Sequence, residues 1–178
     1  MKVSYKALAA ALTLAFSSSA LADWNLSASY NNFSDDTDGI DISMGAVTAG
    51  VGYKYEYPNS KFSVMPELRI GTGVKDDDFV LWYGDMGLSA TVEIKTFTAL
   101  SVRGQYEISD SVSVFVQPVY ANLDVEVSLY GESASDDEWD FGVGAGLIAR
   151  ANEQYSFEVS YERFDETDVI SAGVRYHF

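Results

Sequence analysis

The sequence is governed by a period of two. From Leu88 to Tyr106 the even positions, Leu88, Ala90, Val92, Ile94, Thr96, Thr98, Leu100, Val102, Gly104 and Tyr106, are apolar or small, while the odd positions include Glu93, Lys95, Ser101, Arg103, Gln105 and Glu107. Successive side chains of a strand point to opposite faces, so this spacing predicts one long strand with a greasy face and a charged face. Seven other stretches repeat the pattern, with every second residue apolar over 24–30, 47–55, 62–70, 112–120, 141–149, 155–161 and 170–178. Eight strands are expected.

Their connections fall into two classes. Three are short and rich in turn formers, 57–60 (YPNS), 108–111 (ISDS) and 151–154 (ANEQ); the other four lie around 35–41, 75–87, 124–140 and 165–168, and most are longer. Short and long alternate, so an antiparallel up-and-down arrangement gathers the short turns and both chain ends at one end.

An even-stranded antiparallel barrel can keep its apolar face inside, around a ligand, or turn it outward to lipid over a polar lumen. The polar face here holds Lys54, Arg69, Arg103, Arg150 and Arg175 against Glu56, Glu67, Glu107, Glu158 and Glu162, five of each sign. Equal numbers suit internal pairing. Gly50, Gly52, Gly71, Gly142, Gly144, Gly146 and Gly173 share that face and would leave room for long charged chains in a narrow lumen. Trp24, Tyr53, Tyr55, Phe62, Tyr106, Tyr155, Phe157, Tyr176 and Phe178 lie on the apolar face near the short turns, as an interfacial girdle would. The lipid-facing arrangement fits these features.

Composition places such a barrel outside the cytoplasm. Lys2 and Lys6, the apolar run 7–16 and SSSALA ending at Ala22 have the form of a secretory leader, which predicts a mature chain from Asp23 and one domain over 23–178. Without the leader, 11 − 2 = 9 basic residues face 27 acidic ones, for a net charge of −18. That surface repels nucleic acid, whose binding needs clustered lysine and arginine. There is no cysteine, so the fold is held without disulfides.

With the strands placed, the chain resembles the small eight-stranded outer-membrane proteins of Gram-negative bacteria, the OmpA-transmembrane-domain and OmpX/Ail type. The most specific match is the ending: Ser171, Gly173, Tyr176 and Phe178 resemble the C-terminal signal read by the barrel-assembly machinery of that class. The resemblance implies an all-β, eight-stranded antiparallel transmembrane barrel with short periplasmic turns and long acidic extracellular loops. It implies a location in the outer membrane after export through the general secretory pathway, among lipid and lipopolysaccharide, as a monomer. The alternation over 88–106 is about twice what a tilted strand needs to cross a bilayer, so strands three to six are expected to protrude as a sheet. In the OmpX/Ail subgroup such a sheet is implicated in adhesion, partly through its exposed edge; here it would carry Asp76, Asp77, Asp78, Trp82 and Tyr83.

Candidate chemistry is sparse. The single histidine, His177, is one residue from the end and faces the lumen at the periplasmic rim, far from the outer leaflet where lipid A-modifying barrels pair a histidine with a serine. No catalytic residue and no cofactor is assigned. In DDTDGID, Asp36, Asp38 and Gly39 keep the middle spacing of a calcium loop and Asp41 follows, but Ser34 and Gly45 stand where the first and twelfth ligands belong. No metal site is assigned; Asp36, Asp38 and Asp41 are partial candidates, and 18 of the 27 acidic residues lie in the four long connections, where they could share divalent cations with lipopolysaccharide. The lumen set of Lys54, Glu67, Arg69, Arg103, Glu107, Arg150, Glu158, Glu162 and Arg175 would form a polar plug. By resemblance to the OmpA type, Glu67, Arg69, Arg103, Glu107 and Arg175 are the candidates for a gate. The expected function is a structural or surface-interaction role, adhesin-like and non-catalytic, with a host surface or phage as partner; the alternative is a narrow channel with a charged gate.

Overall fold

The computed structural model describes residues 23–178 apart from 38, 39, 84, 85, 130, 131 and 166. Ten strands follow one another: β1 (Trp24–Thr37), β2 (Ile40–Tyr53), β3 (Tyr55–Glu56), β4 (Phe62–Lys75), β5 (Asp77–Tyr83), β6 (Met86–Glu107), β7 (Val112–Leu129), β8 (Glu132–Arg150), β9 (Tyr155–Phe164) and β10 (Thr167–His177). β3 continues β2 past Lys54, and β5 continues β4 past Asp76, so the ten make eight staves. All neighbours are antiparallel. The β4–β6 and β1–β10 pairings close the sheet on itself, which leaves no open edge in the closed part.

The faces follow the sequence pattern and invert the usual rule of burial. Ile170 is 63% exposed, whereas Arg175, five residues along the same strand, is 2% exposed. An interior of arginine under a coat of isoleucine, valine and phenylalanine is stable only where the coat meets hydrocarbon. At the short-turn end, Trp24 packs edge-on against Tyr53, Tyr57 stacks on Phe62, and Tyr176 packs against both Tyr155 and Phe178. A second aromatic band, absent from the sequence expectation, lies toward the other end on β1, β7, β8 and β9: Tyr30, Tyr120, Trp139, Phe141 and Tyr161 are exposed, with Tyr120 stacked on Trp139 at 4.9 Å. Two bands are what the two interfaces of a bilayer require.

Beyond the second band, β5 to β8 rise as a sheet. β6 has 22 residues, β7 18 and β8 19, against about 9–11 for a tilted crossing. Most of 75–87 and 124–140, expected as loops, is therefore strand: the β7–β8 ladder runs unbroken to Leu129↔Glu132, and β5 pairs with β6 from Asp77↔Val92 to Tyr83↔Met86. Valine and aromatic residues at these positions, Phe79, Val80, Trp82, Tyr83, Val125, Val127 and Trp139, favour pairing over loop.

The expectation of one uninterrupted alternation over 88–106 needs correction. A β-bulge interrupts β6: Ile94 faces Val125 and Thr96 faces Asp124, leaving Lys95 as an extra residue. The unpaired extra residue keeps the two faces continuous and changes the parity of the alternation in the sequence. Below it Phe97, Ala99, Ser101, Arg103 and Gln105 point inward; above it Ala90, Val92 and Ile94 do. The apolar residues over 90–94 are thus internal, not directed to lipid. The Lys95 ammonium, at the bulge, donates to Glu93 and lies 3.1 Å from Glu126; the Glu93 hydrogen bond, then that to Glu126, raise its pKa.

Candidate functional site

The lumen is filled in layers. At the periplasmic rim Lys54 pairs with Glu56 at 2.6 Å and approaches Glu107 at 3.8 Å, which Arg150 approaches at 3.6 Å. Lys54, Glu107 and Arg150 therefore stand apart from the other six residues of the predicted lumen set.

Those six make one buried network at mid-height. Arg175 donates from Nε to Glu158 Oε1 at 2.6 Å and from Nη2 to Glu67 Oε1 at 2.7 Å, and its Nη1 donates to Asn25 Oδ1. Arg103 reaches the same two acids, Glu158 Oε2 at 2.9 Å and Glu67 Oε2 at 3.2 Å, while its guanidinium lies 3.9 Å from the centre of the Phe115 ring. Arg69 pairs with Glu162 at 2.8 Å, and Gln117 links the two groups by donating to Glu162 Oε1 and accepting from Arg103 Nε. Three guanidiniums meet three carboxylates, so the layer is internally neutral. Gln117 and Phe115 were not singled out by charge counting; their inward register on β7, at the height of Arg103, is the signal that could have found them.

Glycine clears space here as expected, and elsewhere for rings. A Cβ on Gly144 would lie 2.8 Å from Glu162 Cγ, and one on Gly50 would lie 2.4 Å from Ser27 Oγ and 3.1 Å from Arg69 Cγ. On Gly146, however, it would strike the Phe115 ring at 2.5 Å.

Higher up the lumen stops being polar. A belt of hydroxyls and amides, Ser29, Asn31, Thr48 and Ser171, is joined by bonds such as Ser29 to Thr48 at 2.7 Å and Ser171 to Asn31 at 2.7 Å. Above it lies a continuous apolar cluster of Phe33, Met44, Ala46, Val92, Ile94, Phe97, Ala99, Val119, Ala121, Phe164 and Val169. Phe33 and Phe97 meet edge-on at 5.4 Å, and Phe97 faces the Arg69 guanidinium at 5.8 Å. The inner half of the lumen is thus lined by paired polar side chains and the outer half by apolar ones. Once the strands leave the bilayer their outer faces meet water, and an interior excluded from water is then best filled by apolar side chains.

Beside His177, Ser156 lies at 2.9 Å, a pairing that the sequence does not reveal. Ser156 is buried beneath the rim, 1% exposed. Asp36, Asp38 and Asp41 fall outside the residues whose side chains are described, as do Trp82 and Tyr83. Asp77 accepts the backbone N–H of Ser43 at 2.6 Å and Asp78 accepts from Thr91, so both brace the raised sheet.

A lipid-facing closed barrel with two aromatic bands and a paired-charge interior is an outer-membrane protein of the small antiparallel type. The chain belongs to the outer membrane protein beta-barrel domain family, which it matches over residues 8–178. It is 26% identical over 164 residues to porin Omp2a of Brucella abortus, an alignment that takes in 83% of this chain and 49% of the porin; the chain thus spans about half the length of that relative. Among solved structures it is similar in fold to Ail, the attachment invasion locus protein of Yersinia pestis, with TM-score 0.59, 18% identity and coverage of 87% of this chain and 97% of Ail. It is also similar to Neisserial surface protein A, with TM-score 0.61, 11% identity and coverage of 88% and 97%. The N-terminal barrel of Pseudomonas aeruginosa OprF superposes with TM-score 0.54 at 12% identity, over 85% of this chain and 97% of that one. The protein is an outer-membrane β-barrel.

Proposed function

We propose that this barrel is a non-conducting, non-catalytic platform that holds a rigid sheet above the membrane for contact with another surface. The observation that carries the reading is the raised sheet of β5 to β8 standing over a lumen filled with side chains. Among the described residues no strand pairs with this edge along the outer part of β8, since β9 ends opposite Gly142, and an extended segment can add there by main-chain hydrogen bonds. Ail is an attachment protein crystallised with the heparin analogue sucrose octasulfate. The partner here would differ in charge, because Asp76, Asp78, Glu132, Asp136, Asp137 and Glu138 repel a sulfated sugar and favour a basic or neutral surface.

Replacing 127–134 with an Asn-Gly turn shortens the β7–β8 hairpin where Glu126 already pairs with Ser135. Cells carrying that variant should lose most binding to host cells, matrix or phage while keeping the heat-dependent gel mobility of a folded barrel; unchanged binding would refute the reading. The channel alternative draws on the Arg103 and Arg175 network; the apolar cluster with Phe33, Phe97 and Phe164 supports the non-conducting reading. Planar-bilayer recordings of refolded protein should show no steps above baseline; discrete steps in the wild type that vanish in Arg103→Ala would establish a gated channel instead.

The same reading takes 1–22 as a removed leader and 23–178 as a monomeric barrel domain. Ser171, Gly173, Tyr176 and Phe178 then serve as the address for barrel assembly, and the acidic outer surface lies beside lipopolysaccharide.

A further inference from the structure

The outer mouth of the barrel holds a cavity of about 300 Å³, whose lining includes Asp136 and Glu138 of the acidic surface described above. Its floor is aromatic, made by Phe33, Phe97 and Phe164 at the top of the apolar cluster. β8 forms a wall that presents Asp136, Glu138 and Asp140 from alternate positions, and Asp165 joins them from the β9–β10 turn. Among the described residues no lysine or arginine forms an ion pair with any of these four carboxylates. A pocket this size is at the lower end of small-molecule sites, roughly 300–1,000 Å³, and combines an apolar base with a few charged groups as such sites do.

The spacing selects the ligand. Alternate positions on one strand lie about 7 Å apart, whereas a calcium or magnesium ion needs its oxygens within about 2.0–2.6 Å of a single point. The row therefore does not converge on a metal. It matches charges strung along a chain, and a few methylenes between ammonium groups give a comparable pitch. We propose that this cavity binds a linear aliphatic oligoamine, with successive ammonium groups on the carboxylates of β8 and the methylene stem against the phenylalanine floor. Aromatic faces attract ammonium as well as alkyl groups, so floor and wall favour the same ligand.

Spermidine titrated into refolded protein by calorimetry, at fixed ionic strength, tests this without reference to any surface partner. A single saturable site is expected. The Asp136→Asn/Glu138→Gln variant should weaken it about tenfold or more, and butylamine, with one ammonium, should bind at least about tenfold more weakly than spermidine. Asp76→Asn/Glu132→Gln removes the same charge outside the cavity and should change the affinity less than about twofold. Absence of a saturable site, equal weakening by the two double variants, or displacement of spermidine by an equal concentration of magnesium would overturn the proposal.

Discussion

Arg175→Ala is expected to cost about 3–5 kcal/mol of stability, the usual result of breaking a buried ion pair from one side. Arg175 binds Glu67 and Glu158 together, and its removal leaves three buried carboxylates facing only Arg69 and Arg103. Arg175→Met fills the same volume without charge and should be nearly as damaging, which separates the electrostatic loss from a packing defect. Arg175→Met combined with Glu158→Gln should recover most of the difference, because it removes one charge of each sign. Urea titration of the barrel refolded in lipid vesicles measures each value. If Arg175→Met fell within about 1 kcal/mol of wild type, the network would be filler whose charges are not coupled.

Ile94→Asp should be the most disruptive single change to the raised sheet. Ile94 points inward above the bulge and packs in the apolar cluster, so the variant removes a buried aliphatic side chain and puts a carboxylate among apolar neighbours. Losing that burial costs about 1.5–3 kcal/mol before the cost of a buried charge is added. Deleting Lys95 should be mild by comparison, because Ile94 and Thr96 already face the consecutive residues Val125 and Asp124; the deletion turns the bulge into a regular ladder with the same facing and forfeits only the pairs with Glu93 and Glu126. Limited proteolysis distinguishes the two. Ile94→Asp should be cut within 76–94 while the membrane-embedded part keeps its folded gel mobility, and the deletion should resist like wild type. A deletion cut as readily as Ile94→Asp would mean that Lys95 is not the surplus residue of β6.

The stave count, the lipid-facing coat and the identity of the network acids and bases were legible because a strand in a membrane barrel must keep one face apolar for its whole crossing. Alternation at Leu68, Ile70, Val174 and Tyr176 records that constraint directly, and the residues between them, Arg69 and Arg175, are the network. The reversal in β6 was obscured because Thr96 and Thr98 fit either face. The clue was present in Phe97 and Ala99, which stand on the odd face two and four residues beyond Lys95, while Val92 and Ile94 stand on the even one. Which acids meet which bases was not legible. Register fixes a residue's height and face, but Gln117 linking Arg103 to Glu162 depends on staves that are distant in sequence. The mouth cavity was hidden for a similar reason, since its floor comes from β1, β6 and β9 and its acidic wall looked like part of a loop.

The bulge at Lys95 has a consequence for how this kind of barrel can change length. Above it, the raised sheet can gain or lose residues two at a time on paired strands and still present the same faces to water and to the apolar cluster. A single insertion into a regular ladder exchanges inside for outside from that point to the tip unless a bulge takes it up. The outer structure can therefore be extended or trimmed in even steps without disturbing the membrane-embedded staves, whereas an odd step must be absorbed by a bulge. Lys95 is one such odd step, already absorbed in the fold.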